Sequence, residues 1–232
     1  MNIFCLDTFG AVLSAAVQCE GGVFSLEVDA GGKHSGLLLP VMDNLLKTAG
    51  VRPADIDVAA CMRGPGSFTG IRVGFAAVKG IAAACGAKAV SIPTLDCMAL
   101  PFMDDEVDET TNEKAVVPVI DSKRQQFYTA VYRGRERVTD YLDVRADALV
   151  SVLRGGNGEE ILFTGPDAGN MRGALSGLLT GKRLSADPYF SWGQARNMLR
   201  FLAKSDRIKW DGELSVPLYI RKSDAEEKWQ KL

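Results

Sequence analysis

Short apolar or alternating runs, separated by glycine, open this chain. Residues 2–7, 12–19 and 23–29 have the period of two that predicts strands, with turns at Gly10 and at Gly21-Gly22. At Ser35 the apolar spacing changes to the helical period and holds to Ala49, where Gly50 stops it. A strand over 56–62, a helix over 71–85 and a strand over 88–92 follow. The acidic stretch 103–114 has few core formers and reads as an exposed linker. Beyond it the order begins again: strands over 116–121, 126–133 and 138–144, a helix over 146–154, a strand over 160–164 and a helix over 170–179. Two consecutive βββαβα units predict an α/β fold made by internal duplication. The expected division is an N-terminal lobe at 1–102, a C-terminal lobe at 115–215 and a tail at 216–232. The first strand of each unit ends in Asp, at Asp7 and at Asp121.

The stretch 64–74 (GPGSFTGIRVG) lies between a predicted strand and a predicted helix. Gly64, Gly66 and Gly70 permit positive φ or close approach, and Ser67 and Thr69 suit the start of a helix. Two readings stand: backbone N–H groups presented to an anion, or a tight strand-to-helix turn. No Gly-Lys-Ser/Thr follows, so it is not a Walker loop, and the residues around Ser67 are not those of a nucleophile elbow. Asp7 likewise has two readings, carboxylate for a hydrated cation or Asx-turn acceptor, with Thr8 beside it. Residues 165–169 (GPDAG) are a second glycine turn between strand and helix.

The predicted helices carry more apolar surface than one sheet needs. Leu38, Val41, Met42, Leu45 and Ala49 form one stripe, flanked by Leu37 on one side and Leu39 and Leu46 on the other. On the next helix Val73, Ala76, Ala77, Gly80 and Ala84 make a face of small side chains. Gly74 and Gly80 each cost that helix roughly 1 kcal/mol relative to Ala, and close helix packing would offset it. Two readings stand, both helices sandwiched inside the domain or a partner surface built from both, and the partner surface is the expectation.

Composition narrows the chemistry. The net charge of −2 over 232 residues gives no general attraction to nucleic acid; Arg133, Arg135 and Arg137 read as a solvated hairpin edge, and Lys123 and Arg124 as a hairpin at a cleft entrance. With one histidine, His34, no His-pair metal site can form, so no metal ligands are assigned. The five cysteines read as reduced core residues of a cytoplasmic protein. No apolar run is expected to reach membrane-span length, and no secretory signal is expected.

The duplicated order resembles the actin-like ATPase and ribonuclease H-like fold, in which a cleft takes nucleotide. Leu6-Asp7-Thr8, His34-Ser35 with Leu38-Leu39-Pro40 and Leu45-Leu46, the 64–74 stretch, Val119-Ile120-Asp121 with Tyr128, and Pro217, Tyr219, Ile220 and Arg221 narrow it. Together they are similar to the TsaB family of tRNA threonylcarbamoyladenosine biosynthesis proteins. The resemblance implies a non-catalytic subunit that pairs with a TsaD-like catalytic subunit, is joined by a TsaE-like ATPase, and forms a homodimer when alone. It implies tRNA contact only through the complex, no membrane, and ATP or ADP with Mg at the complex interface as the one cofactor to look for. In TsaD a His-x-x-x-His pair holds a metal; here Thr94 and Met98 stand in those places, and a hydroxyl and a thioether are poor replacements for imidazoles. One departure is Phe9, where the family often has a small hydroxyl. Two enzyme readings remain beside the scaffold: a nucleotide-hydrolysing protein using Asp7, and a metallopeptidase, which the missing imidazole pair disfavours.

Overall fold

A computed structural model describes residues 1–103, 114–154, 160–188, 193–203 and 216–221. The first apolar runs form β1 (Ile3–Asp7), β2 (Val12–Cys19) and β3 (Gly22–Asp29), an antiparallel meander. Every residue of β1 is buried, as expected of a central strand covered on both faces. Helix α1 (His34–Ala49) follows and ends on Gly50 in the left-handed region, whose N–H bonds back to the last turn. Then come β4 (Val58–Gly64), α2 (Phe68–Cys85), β5 (Lys88–Pro93) and a short helix α3 (Thr94–Ala99). Strands β4 and β5 lie parallel beside β1, giving the sheet order β3-β2-β1-β4-β5.

The second half repeats that order. Strands β6 (Lys114–Lys123), β7 (Gln126–Thr129), β8 (Tyr132–Arg133), β9 (Glu136–Arg137) and β10 (Leu142–Val144) precede α4 (Ala146–Leu153). Strand β11 (Glu160–Thr164), α5 (Ala168–Leu175), β12 (Arg183–Ala186) and α6 (Ala195–Ala203) complete the described elements. The main path of this sheet is β10-β7-β6-β11-β12. Third, second, first, fourth and fifth strands thus stand in the same sequence in both sheets. The predicted strand 126–133 is divided into β7 and β8. Both pieces pair with β6 in one register, Val119 with Thr129 and Val116 with Tyr132. In that register Pro118 falls opposite Ala130 and has no N–H to donate, so the ladder is interrupted there.

Several boundaries differ from the sequence expectation. Helix α2 starts three residues earlier than the periodicity predicts, because Ser67 caps it: its hydroxyl accepts from the Gly70 N–H at 3.2 Å. The predicted strand 138–144 is reduced to β10, preceded by the small hairpin β8–β9 that holds Arg133 and Arg137, with Arg135 exposed between them. Asp121 lies inside β6, not at its end. The expected second lobe at 115–215 is also corrected. The chain divides into one unit of 1–102 with 188–217, and another of 103–187 with 218–232. The physical reason is α6, which packs on β1 and β2 of the first unit. The acidic stretch 104–113 and the end of the tail lie outside the described residues.

Each unit has its own core. In the first, Phe4, Leu6, Leu13, Leu45, Ile71 and Ile92 are almost fully buried. In the second, Val117, Val119, Leu149, Ile161, Phe163 and Met171 form the centre of one apolar cluster. The cysteines are free: Cys5, Cys61 and Cys97 are buried, and Cys19 and Cys85 half-buried. Burial pushes the Cys5, Cys61 and Cys97 thiols up, which keeps them protonated.

Candidate functional site

The two conspicuous sequence features, Asp7-Thr8-Phe9 and the turn 64–70, meet in space. The Ser67 N–H donates to the Phe9 carbonyl at 2.9 Å. The Thr8 hydroxyl donates to the Gly70 carbonyl at 2.7 Å. A Cβ at Gly70 would collide with the Thr8 carbonyl oxygen, and one at Gly74 would lie 2.7 Å from the Thr8 Oγ1. A Cβ at Gly66 would stand 3.0 Å from the Phe9 Cβ. The missing side chains of Gly66, Gly70 and Gly74 therefore leave room for this chain's own hairpin. Phe9 is 5% exposed and fills the place against Gly66. Gly64 itself turns the backbone with φ at 108°. Ser67 and Thr69 remain exposed.

Asp7 is equally occupied. Its Oδ1 accepts from the Phe9 N–H at 3.0 Å, an Asx turn. Its Oδ2 accepts from the Gln194 N–H at 2.8 Å and lies 3.5 Å from the Ser14 hydroxyl. Ser14 Oγ in turn accepts from the Ala195 N–H at 3.0 Å, and Glu27 Oε2 from the Gly193 N–H at 3.2 Å. Three successive amides leading into α6 are thus held by side chains from β1, β2 and β3. Burial pushes the Asp7 carboxyl up to about 6, against the lowering pull of the Gln194 and Phe9 amides and the Ser14 hydroxyl; the Glu27 charge adds to the rise. Gly193 has to be glycine, since a Cβ there would overlap Ser14. Ser14, Glu27, Gly193 and Gln194 are residues the sequence reading missed. The one available signal was Ser14, a hydroxyl within the apolar run 12–17.

Thr94 and Met98, in the places of the TsaD imidazoles, lie one turn apart on α3 and are both buried. The Thr94 hydroxyl is buried without a hydrogen-bond partner. Among the described residues no three His, Cys, Asp or Glu side chains converge. His34, the first residue of α1, is buried and bonded to the Gly10 backbone; burial holds its imidazole below the usual range, and its Nε2 has no partner.

The expected partner face divides. Leu39 is 68% exposed, Leu37 half-buried, and Leu46 only 5% exposed. Leu46 is therefore corrected: it belongs with Leu38, Val41, Met42 and Leu45 on the inner side of α1, and a residue so buried presents nothing to a partner. On α2, Ala76, Gly80 and Ala84 are exposed and Val73 and Ala77 half-buried. A Cβ at Gly80 would meet nothing within 4 Å. Contrary to the sequence expectation, α2 is apolar and long enough to cross a membrane by length and composition, and 28% of it is buried.

In the second unit Asp121 is half-exposed, bonded to the Lys123 N–H at 2.7 Å and paired with its ammonium at 3.0 Å. Lys123, Arg124 and Gln125 all have positive φ at this hairpin tip. A half-buried cluster lies beside it: Arg221 donates to both Asp143 oxygens at 2.6 and 2.9 Å, to the Ser122 carbonyl at 2.9 Å and to Gln126 Oε1 at 2.6 Å.

A βββαβα sheet order used twice, with an Asp on the first strand and a glycine turn after the fourth, defines a protein of the actin-like ATPase fold. The Lmo2764 protein of Listeria monocytogenes, described as a candidate N-acetylmannosamine kinase, shares that fold at a TM-score of 0.52 and 11% identity, over 88% of this chain and all of that one. YeaZ from Pseudomonas aeruginosa superposes with a TM-score of 0.73 at 21% identity, covering 94% of this chain and 99% of that one. The family model for TsaD, tRNA N6-adenosine threonylcarbamoyltransferase, matches residues 14–184. The tRNA threonylcarbamoyladenosine biosynthesis protein TsaB of Bacillus subtilis is 25% identical across 99% of this chain and 98% of its own length. The chain belongs to the threonylcarbamoyltransferase family and is TsaB/YeaZ-like within it.

Proposed function

We propose that this chain is a non-catalytic scaffold and activating subunit. It docks on a TsaD-like catalytic subunit, joined by a TsaE-like ATPase, for threonylcarbamoyl transfer to the adenosine next to the anticodon of tRNA. The observation that carries the reading is α2. Its outer face of Ala76, Gly80 and Ala84 is apolar yet exposed, and Leu39 stands out from α1. Gly80 weakens the helix by roughly 1 kcal/mol and relieves no crowding among the described residues. A second helix approaching closely would give that glycine its use. Charges at Arg72 and Lys79 within α2 suit a protein partner better than lipid. The same face serves self-pairing when the catalytic subunit is absent.

With both Asp7 oxygens occupied, nucleotide is assigned to the assembled complex and not to this carboxylate. With a net charge of −2 the chain meets tRNA through the complex, in the cytoplasm. The deciding experiment is reconstitution with the TsaD-like and TsaE-like proteins, with and without this chain, scoring modified adenosine. Modification should fall to background when the chain is omitted. Full modification without it would overturn the proposal. Leu39→Glu should abolish co-elution with the TsaD-like subunit while leaving the fold intact; unchanged co-elution would move the interface elsewhere.

A further inference from the structure

The proposed partner face extends onto a part of α2 that its own unit leaves uncovered. Gly70, Ile71, Gly74, Phe75 and Val78 are the buried residues of α2, and from Lys79 to Cys85 none is buried. The direction of the helix is therefore set near its start, where it meets the β1–β2 hairpin. The Thr8 hydroxyl donates to the Gly70 carbonyl at 2.7 Å, and the Ser67 N–H donates to the Phe9 carbonyl at 2.9 Å. The same hairpin holds the loop before α1, whose Ala30 N–H donates to the Ala11 carbonyl at 3.1 Å. We propose that Thr8 is a positioning residue for docking: its hydroxyl seats the start of α2 and so aims the uncovered remainder, Lys79 to Cys85, at the partner. The role rests on the reading that the outer sides of α1 and α2 form the partner face.

Apolar contact holds a helix against a sheet without fixing its direction, because it is non-directional. A hydrogen bond has a set length and a preferred angle. Thr8 is 2% exposed, so water does not compete for its donor, and a β-branched side chain is stiff at χ1, which keeps the hydroxyl pointing one way. Gly70 and Gly74 stand one turn apart on the side of α2 that faces Thr8, and a Cβ on either would force the helix away from it. Glycine at both positions also lowers helix stability, which leaves α2 more dependent on this contact. An error at the seat grows along the helix. Gly80 lies about 15 Å beyond Gly70 along the axis, so a tilt of about 10° at the seat moves it by roughly 2–3 Å. A close-packed pair of helices does not absorb a shift of that size.

Reconstituted threonylcarbamoyl transfer with the TsaD-like and TsaE-like proteins tests this. The full chain is titrated, and its half-maximal concentration and the plateau of modification are read separately. Thr8→Ala and Thr8→Ser both lose the methyl group, and serine alone keeps the donor. Thr8→Ala should raise the half-maximal concentration about tenfold at an unchanged plateau, as one lost hydrogen bond lowers the fraction of chains aimed for docking. Thr8→Ser should stay near the wild-type value. Equal values for the two variants, or a lowered plateau, overturn the role. Leu39→Glu separates it from the docking reading: if Leu39→Glu raises the concentration and Thr8→Ala does not, the aiming role falls alone, and if neither does, the partner face falls with it. Should Thr8→Ala fail to fold, Gly74→Ala decides, because its Cβ would lie 2.7 Å from the Thr8 Oγ1 and displace the seat. A raised concentration at an unchanged plateau then supports the role, and an unmoved one overturns it.

Discussion

The two repeats carry an aspartate in the closing part of their first strand and use it differently. In each, an Asp carboxylate accepts the N–H two residues ahead, Phe9 onto Asp7 at 3.0 Å and Lys123 onto Asp121 at 2.7 Å. In each, the fourth strand leads into a Gly-Pro pair whose glycine has φ near +110°, at 108° for Gly64 and 110° for Gly165. The likeness stops at the next layer. Asp7 is sealed by the amides before α6, whereas Asp121 keeps an exposed side and a lysine partner. The glycines of α2 press on Thr8, whereas Gly169 of α5 faces open space. Strand order places an aspartate and a glycine turn, and the element that lands on them decides what they do.

The sharpest way to break this contrast is to add one methyl group to each helix. Gly70→Ala drives a Cβ into the Thr8 carbonyl, a backbone atom that cannot swing aside. A loss of at least about 3 kcal/mol is expected, at the upper end of overpacking costs. Gly169→Ala meets nothing and should be neutral or slightly stabilising. Urea unfolding of the two variants measures the difference.

Next in size is the cluster that fastens the second repeat. Arg221→Ala leaves the half-buried Asp143 without its counter-charge, at an expected cost of about 3 kcal/mol. Arg221→Lys should recover little, because an ammonium cannot span both carboxylate oxygens and Gln126 together. Hydrogen exchange should show the loss in β7 and β10 and spare β1 to β5.

The two aspartates should also respond to pH with opposite sign. Asp7 holds its proton more tightly folded than unfolded, so it makes stability fall as pH rises from about 4 to 6, by up to about 3 kcal/mol. Desolvation pushes Asp121 up too, but its bonds with Lys123 outweigh that and hold its carboxyl below the usual range. Its contribution is present above the ordinary carboxylate range and fades as pH drops below it. Asp7→Asn should remove the first slope and cost about 1–3 kcal/mol through one mismatched amide. Asp121→Asn should remove only a small acid-side slope. Stability against urea across pH 3–8 separates them.

Much of this frame was legible in the residues. Period-two runs located β1 to β5 and, less exactly, β6, β7, β10 and β11, while β9, β12 and α6 were not foreseen; α1 needed only its stripe and Gly50. The Asx turn at Asp7 was one of two readings the sequence left open, and so was the tight turn at 64–70. What could not be read was long-range. That Gln194 and Ala195 return to β1 and β2 depends on contacts spanning more than 180 residues, for which no local pattern exists. The inward turn of Leu46 was missed because a helical wheel gives the width of an apolar arc and not how deeply the sheet reaches around it. Pro118 was visible, but its effect on β7 and β8 required the register of the partner strand.

The smallest expected effect refines the comparison within α2 itself, where inward and outward glycines stand on one helix. Gly70 and Gly74 are glycine because Thr8 lies against them; Gly80 has no such neighbour. Gly80→Ala should therefore stabilise the isolated chain, by roughly 1 kcal/mol if propensity alone operates. Gly80→Leu should also fold, since its side chain projects outward. If the outer face of α2 receives a close-packed partner helix, Leu at this position should prevent pairing while thermal unfolding of the isolated chain is unharmed. Size-exclusion chromatography with the TsaD-like subunit, set beside the melting curve, distinguishes the two. A Gly80→Leu protein that still pairs would mean the exposed alanines of α2 face water in the complex as well.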